Sequence, residues 1–224
     1  MSMSNGHAAS SMAGMSMSAG HGAVNILPEW LAIVWTFVFL AIVVLHGWHL
    51  FQTHGVQPRL WHTGHVLMAL GMAFMYAPSS LDPLNIPAAF WQLAFANGAG
   101  LIFAWMFAQV LDRYAFNVLW LLMAVDLTAM VYMWTPSAFT APLTWLLVAY
   151  FSIQALLWAT DAYRRVDGRW QIGGGARLSV AGDGTVAISA VRSEPLICNI
   201  EMRPSMVAMT LGMAYMFAAM QLML

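Results

Sequence analysis

The sequence predicts an all-α integral membrane protein, a bundle of about six transmembrane helices with a small cytoplasmic β-hairpin in the last loop. Of its 224 residues, 61% are hydrophobic and only 8% are charged, whereas soluble domains carry about 25% charged residues. The basic residues are all arginines, and they lie in alternate connections between apolar segments: Arg59, Arg113, Arg164, Arg165, Arg169, Arg177, Arg192 and Arg203. Basic connections stay in the cytoplasm, so this pattern predicts a multi-pass plasma-membrane protein with both termini extracytoplasmic.

The predicted spans follow from the roughly 20 apolar residues that a helix needs to cross about 30 Å of hydrocarbon. They run over residues 28–50, 62–77, 87–111, 115–135, 142–163 and 205–223. Prolines mark the two connections predicted to lie outside, 78–87 and 135–142, because proline ends one helix and begins the next. Around Asp183 and Gly184 the apolar and polar residues alternate, which is typical of a β-hairpin with a two-residue turn.

These elements divide the chain into four parts. They are a disordered extracytoplasmic tail (1–27), a five-helix membrane region (28–163), a cytoplasmic loop with the hairpin (164–203) and the sixth transmembrane helix (204–224). The tail lacks the charged start and apolar core of a signal peptide, so we expect no cleavage there. A net charge of −1 argues against a nucleic-acid partner. The expected partners are the lipid bilayer and either other membrane-complex subunits or further copies of the chain.

The tail is rich in methionine, although it has no apolar core for methionine to fill. Its potential metal ligands are Met3, His7, Met12, Met15, Met17 and His21. Thioether and imidazole groups are good ligands for Cu(I), and thioethers suit an oxidising compartment. The tail is therefore interpreted either as a copper-capturing segment or as a low-complexity leader in which methionine has no function.

The second predicted span carries a stripe of soft ligands. His65, Met68, Met72 and Met75 are spaced 3, 4 and 3 residues apart and so share one helix face. Histidines also gather at the end of this span that is predicted to be cytoplasmic: His46, His49, His62 and His65. Three interpretations remain open for them: aromatic rings at the membrane interface, a Cu(I) site formed with the methionine stripe, or haem ligation by a histidine pair as in b-type cytochromes.

The last predicted span has methionines at intervals of 4 and 3 residues from Met202 to Met223. This spacing predicts either a packing face between helices or a ladder of copper ligands. Cys198 precedes Met202 by one helical turn, and together they are a possible cytosolic hand-off point for the ion.

Asp126 is predicted to lie near the middle of the fourth span. A charge at that depth costs several kcal/mol unless it is neutralised, paired or hydrated. It is therefore a candidate for proton coupling or cation passage. The alternative is a protonated carboxyl that is hydrogen-bonded to Asn97 or Thr128.

The run HTGHVLMALGMAFMYAP, together with the six-span layout, resembles an uncharacterised family of actinobacterial polytopic membrane proteins. In that family a His-x-x-Met-x-x-x-Met-x-x-Met run opens a span, as His65, Met68, Met72 and Met75 do here. The resemblance implies a class of protein and no mechanism. The tail and the Met-x-x-x-Met pair also resemble those of copper importers, which have three spans.

The chain contains no phosphate-binding glycine loop, no His-Glu-x-x-His and no Cys-x-x-Cys motif, so we expect it not to be an enzyme. The leading hypothesis is Cu(I) binding and handling, in transport or in metal delivery. The alternative is a non-catalytic accessory or assembly subunit of a larger membrane complex. The third is a b-type haem protein.

Overall fold

The structure is a computed structural model, and it is predominantly α-helical. It describes residues 28–78, 86–111, 116–135, 140–160, 162–163, 171–172, 176–180, 186–190 and 202–223. Its helices are α1 (Glu29–Gln52), α2 (Val56–Tyr76), α3 (Ala88–Leu111), α4 (Val118–Met133), α5 (Ala141–Ala159) and α6 (Arg203–Met223). The predicted tail, 1–27, lies outside the described residues.

Four short strands also lie in the described part of the chain. The strands β1 (Phe116–Asn117) and β2 (Gln171–Ile172) pair antiparallel. The strands β3 (Ala176–Val180) and β4 (Val186–Ala190) pair in the same way, with Val180 opposite Val186. The Asp183–Gly184 turn lies outside the described residues, so the predicted two-residue hairpin turn stays a prediction.

Turn residues account for where several helices begin. Pro28 precedes α1, and a proline occupies the first turn of α5, where its missing N–H leaves no helical hydrogen bond unmade. Gly55 precedes α2 with a φ of 107°, a conformation that glycine adopts without the strain a side chain would add. Because of this glycine, α2 begins at Val56, six residues before the predicted start at 62, and its histidines lie well inside the helix.

Four of the helices, α1, α3, α5 and α6, are long and apolar enough to cross a membrane. The apolar part of α4, Leu119–Met133, is shorter, and the first turns of α2 contain Gln57, Pro58 and Arg59. Length and composition are therefore those of a membrane protein, whereas the predicted count of six spans rests on the arginine pattern.

The helices pack as three sequential pairs: α1 along α2, α3 along α4 and α5 along α6. Smaller contacts join α1 to α6, and α2 to α3 and α4. The helix pairs approach each other closely at two glycines. A Cβ on Gly71 of α2 would collide with the ring of Phe95 of α3, and one on Gly212 of α6 would collide with the ring of Phe39 of α1. The core consequently lies where α2, α4 and α6 meet, with Met72 and Phe217 fully buried there.

Candidate functional site

Four histidines meet at one end of the α1–α2 pair. His46 and His49 lie near the end of α1, and His62 and His65 lie one turn apart in α2. We call these four residues the histidine cluster. The ring of His46 stacks on that of His65, with centroids 5.0 Å apart, and the ring of His49 stacks on that of His62 at 5.7 Å. The structure thus brings together all four histidines that the sequence placed at this end.

Hydrogen bonds determine which nitrogen of His46 carries the proton. Its Nε2 lies 3.2 Å from the Ser205 Oγ of α6, and that hydroxyl donates its only proton to the Met202 carbonyl at 2.7 Å. Ser205 therefore accepts at its oxygen, and His46 donates from Nε2. A neutral His46 then accepts at Nδ1, which lies 3.2 Å from Nδ1 of His62. The donor in that second bond is His62.

The two histidines of α2 consequently have the same tautomer. His62 donates from Nδ1 to His46, and His65 donates from Nδ1 to the Trp61 carbonyl at 2.8 Å, because a carbonyl oxygen only accepts. In both neutral rings the lone pair is then at Nε2, and no described residue forms a hydrogen bond with either Nε2. A ring that donates from one nitrogen and offers the other is the arrangement found in metal-binding histidines.

The cluster is not an assembled metal centre. Among the described residues, no group of three or more His, Cys, Asp or Glu side chains is arranged to hold an ion. The direct stacking of the rings is the physical reason, since stacked rings point their nitrogens past one another. Any ion bound here would combine a few histidine nitrogens with ligands of another type.

Methionines supply the other type of ligand. The side chains of ten methionines from α2, α4 and α6 are buried, and we call them the methionine interior: Met68, Met72, Met75, Met123, Met130, Met133, Met206, Met209, Met213 and Met216. Several lie against glycines of a neighbouring helix. A Cβ on Gly64, which lies between His62 and His65 in the sequence, would be 2.9 Å from the sulfur of Met123. The methionine interior therefore begins beside the histidine cluster.

The methionine spacing of α6 coincides with its buried face. Met206, Met209, Met213 and Met216 are all buried inside the chain itself. This face therefore packs against the protein's own helices.

Asp126 is buried in α4, away from its expected partners. Its Oδ1 accepts a hydrogen bond from the Tyr150 hydroxyl at 3.0 Å, and the Gln154 amide nitrogen lies 3.3 Å from Oδ2. Asn97 is exposed on α3 and donates to Leu93 of its own helix. Thr128 likewise donates to Ala124 of its own helix. The alternative in which Asp126 bonds Asn97 or Thr128 is therefore wrong, and its partners come from α5.

The remaining predicted residues divide between the described and undescribed parts of the chain. Met202 is buried and accepts the bond from Ser205, which places its backbone beside the histidine cluster. Cys198 and the six ligands predicted in the tail lie outside the described residues. Sequence reasoning missed Ser205 and the Trp61 carbonyl, because neither a lone serine nor a backbone group gives a recognisable signal for the tautomer that it imposes.

Comparison with known proteins yields one family. The family model for a domain of unknown function, DUF5134, matches residues 57–220. The match begins in the first turn of α2 and extends to the last turns of α6, so it includes His62, His65 and every member of the methionine interior. No curated protein and no solved structure matches the chain.

Proposed function

We propose, on the premise that the chain belongs to the DUF5134 family of domains of unknown function, that it is a six-span membrane protein that binds and handles Cu(I) as its cargo. The expectation of an uncharacterised family is confirmed, while the actinobacterial source and the histidine–methionine motif as family properties stay predictions. His62 and His65 would bind the ion at one end of the bundle, and Met68, Met72 and Met75 would continue the site inward. The external tail would capture the ion first.

One observation carries this proposal: the histidine cluster adjoins an interior lined by thioethers. Thioether is a soft, neutral ligand that favours Cu(I) over harder ions, and imidazole also binds copper. The presence of methionine alone does not distinguish copper binding from packing, since methionine is also a good filler of irregular cores. The tautomers of His62 and His65 add a second argument, because hydrogen bonds leave each Nε2 with its lone pair.

Replacing the thioethers by hydrocarbons of similar volume separates ligation from packing. The triple variant Met68→Leu, Met72→Leu, Met75→Leu keeps apolar volume, and such exchanges cost less than about 1.5 kcal/mol each. We expect it to fold and to bind Cu(I) at least about tenfold more weakly, as variants of metal sites do. The measurement is competition for Cu(I) against a chelator in detergent with ascorbate present.

The controls alter methionines outside α2. A Met209→Leu, Met213→Leu variant alters buried methionines of α6 that are not assigned to the site, and it should retain the wild-type affinity. Replacing Met3, Met12, Met15 and Met17 of the tail by Leu should reduce the number of bound ions and leave the inner site occupied. Wild-type affinity in both the α2 triple variant and a His62→Leu, His65→Leu variant would show that these side chains only pack.

The proposed orientation of the chain in the membrane can be tested separately with its single cysteine, Cys198. Arginine placement predicts a cytoplasmic Cys198. In intact cells a membrane-impermeant maleimide should leave Cys198 unlabelled until the membrane is permeabilised. A Ser4→Cys, Cys198→Ser variant should be labelled without permeabilisation. The reversed labelling pattern would show that the chain has the opposite orientation in the membrane.

The accessory-subunit function remains the second candidate, and one observation favours it. The Asn97 amide is exposed on α3, within a helix apolar enough to span the membrane, and a Cβ on Gly100, one turn further on, would meet no atom within 4 Å. An amide facing lipid is costly, and interhelical partners relieve this cost. If this function is correct, Asn97→Leu should abolish co-purification of a partner without changing Cu(I) affinity.

The haem hypothesis gains no comparable support. The rings of His46 and His62 are in direct contact, with their centroids 5.5 Å apart, and those of His46 and His65 stack on each other. A porphyrin between any of these pairs would have to separate them and the helices that carry them. An absorption spectrum of the purified protein without a Soret band would argue against it.

A further inference from the structure

A second polar site lies between α4 and α5. It consists of Asp126, Tyr150 and Gln154, which we call the Asp126 cluster. Asp126 and Gln154 are 6% and 3% exposed, which places both well inside the bundle. The Gln154 amide nitrogen lies 3.4 Å from Oδ1 and 3.3 Å from Oδ2 of the carboxyl group, and 3.4 Å from the Tyr150 hydroxyl.

Among the residues that the structure describes, no positive charge balances an ionised Asp126. Its hydrogen-bond partners are a phenol and an amide, both neutral. No arginine or histidine among the described residues contacts the carboxyl group. An ionised carboxylate buried in the membrane interior is strongly disfavoured unless it is paired, and two neutral donors provide only part of the stabilisation that water provides.

The cluster also lacks one hydrogen-bond donor. The Gln154 Oε1 atom is buried and has no partner, although unpaired buried acceptors are rare and costly. Tyr150 and Gln154 together carry three polar hydrogens, fewer than the acceptor positions of the carboxylate, the amide oxygen and the phenol. One additional hydrogen on the carboxyl group would remove the charge and supply a donor.

We propose that the Asp126 cluster is a proton-binding site in the membrane-spanning part of the protein. Hydronium transfers a proton to a carboxylate oxygen of Asp126 and leaves water; –COO⁻ becomes –COOH, and no electrons are exchanged. The new O–H donates to the Gln154 amide oxygen after a rotation of the amide, which turns the amide nitrogen away from the carboxyl group. The hydrogen bonds between α4 and α5 therefore depend on this proton, whether or not the protein handles Cu(I).

The titratable groups near the cluster limit how its pH dependence can be interpreted. Tyr150 belongs to the cluster, and Tyr163, beyond the end of α5, interacts with Asp126. The other titratable side chains on the neighbouring helices are Tyr132 on α4, Arg59, His62, His65 and Tyr76 on α2, and Tyr215 on α6. The helix α3, which packs along α4, contains no titratable side chain, and the Arg203 of α6 bonds Ala159 instead. A signal from a carboxyl group that disappears with Asp126 is thus separable from titration of the histidines.

Infrared spectroscopy of the full chain in a detergent without ester groups tests the proposal directly, because the ester carbonyls of phospholipids absorb in the same region as a protonated carboxyl group. A protonated carboxyl group absorbs above the amide I band, and an ionised one does not. The wild-type spectrum at pH 7 should contain this band, it should shift on transfer to D2O, and Asp126→Asn should abolish it. Exposed carboxyl groups, with ordinary pKa values near 4, contribute no such band at pH 7.

Two further variants make the result specific. Gln154→Leu removes the amide oxygen, so the band should move to higher wavenumber as the O–H loses its acceptor. Glu29→Gln, at the exposed start of α1, should leave the band unchanged. A wild-type spectrum without the band at pH 7, in which it appears only when the exposed carboxyl groups protonate, would overturn the proposal. So would a band that persists in Asp126→Asn.

Discussion

Gly212→Val is expected to cause the largest loss of stability, about 3 kcal/mol, which is the upper end of the range for overpacking. A Cβ at this position would lie 2.5 Å from Cζ of Phe39 and 2.9 Å from Cε of Met72. Met72 is flexible and can move away. Phe39 cannot, because its ring is fully buried and packs against both Trp35 and Tyr76, at 5.5 and 5.4 Å.

The close approach of α6 at Gly212 also includes a hydrogen bond, which increases the expected loss of stability. The Tyr76 hydroxyl donates to the Gly212 carbonyl at 3.0 Å, and moving α6 away would leave both groups unpaired. Thermal or denaturant unfolding in detergent measures the effect. Gly100→Val is the matched control, since a Cβ there meets no atom within 4 Å. Equal stability of the two variants would mean that α6 does not pack against α1 and α2 as described.

His46→Leu should have the second largest effect, on both stability and Cu(I) affinity. His46 is fully buried and joins α1 to His62 of α2 and to Ser205 of α6. Leucine would leave the His62 N–H and the Ser205 oxygen without their partner, at a cost of roughly 2 kcal/mol. It would also release the tautomer of His62, and loss of such an orienting partner typically weakens metal binding by about 10–100-fold.

Two variants distinguish this positioning role from a general loss of structure. Ser205→Ala keeps the packing and removes the acceptor of the His46 proton, which can then move to Nδ1. It should weaken Cu(I) binding with a smaller loss of stability than His46→Leu causes. His54→Leu, at the exposed histidine between α1 and α2, should change neither property. If His46→Leu lowers stability and Cu(I) affinity stays at the wild-type value, His46 does not position a ligand.

Sequence reasoning located the helices well because each begins or ends at a polar turn or a proline. It placed α1 at 28–50 and α3 at 87–111, against the observed Glu29–Gln52 and Ala88–Leu111. The largest error was the start of α2, where hydropathy alone hid a helical segment with Pro58 and Arg59 in its first turns. Proline is tolerated there, so composition was a poor guide to the boundary.

Contacts between helices were harder to predict than the helices themselves. A helix that is hydrophobic all round has no polar face to show its orientation, and α3, α4 and α5 are of this kind. One alternative for Asp126 therefore names Asn97 or Thr128 as its partner, whereas its partners are Tyr150 and Gln154 of α5. By contrast, the regular methionine spacing in α6 did identify its buried face.

In the candidate site too, the features within one helix follow from the sequence and the contacts between helices do not. The intervals of three residues placed two histidines on one face of α1 and two on one face of α2, which is local information. The contact between His46 and Ser205 joins residues 159 positions apart, and nothing in the sequence pattern connects them. The tautomers depend on that contact, so the reason for regarding Nε2 as available could come only from the structure.

The pairing of α5 with α6 has a consequence for the evolution and engineering of the chain. Arg203 donates to the Ala159 carbonyl at 2.8 Å, so the chain leaves α5 and enters α6 at neighbouring points. Once the ends of a connection are held together, each doubling of its length costs only about 0.6 kcal/mol of loop-closure entropy. The stretch between Thr160 and Met202 is thus the part of this protein where insertions, deletions or a fused reporter domain should be accepted with the least disturbance to the bundle.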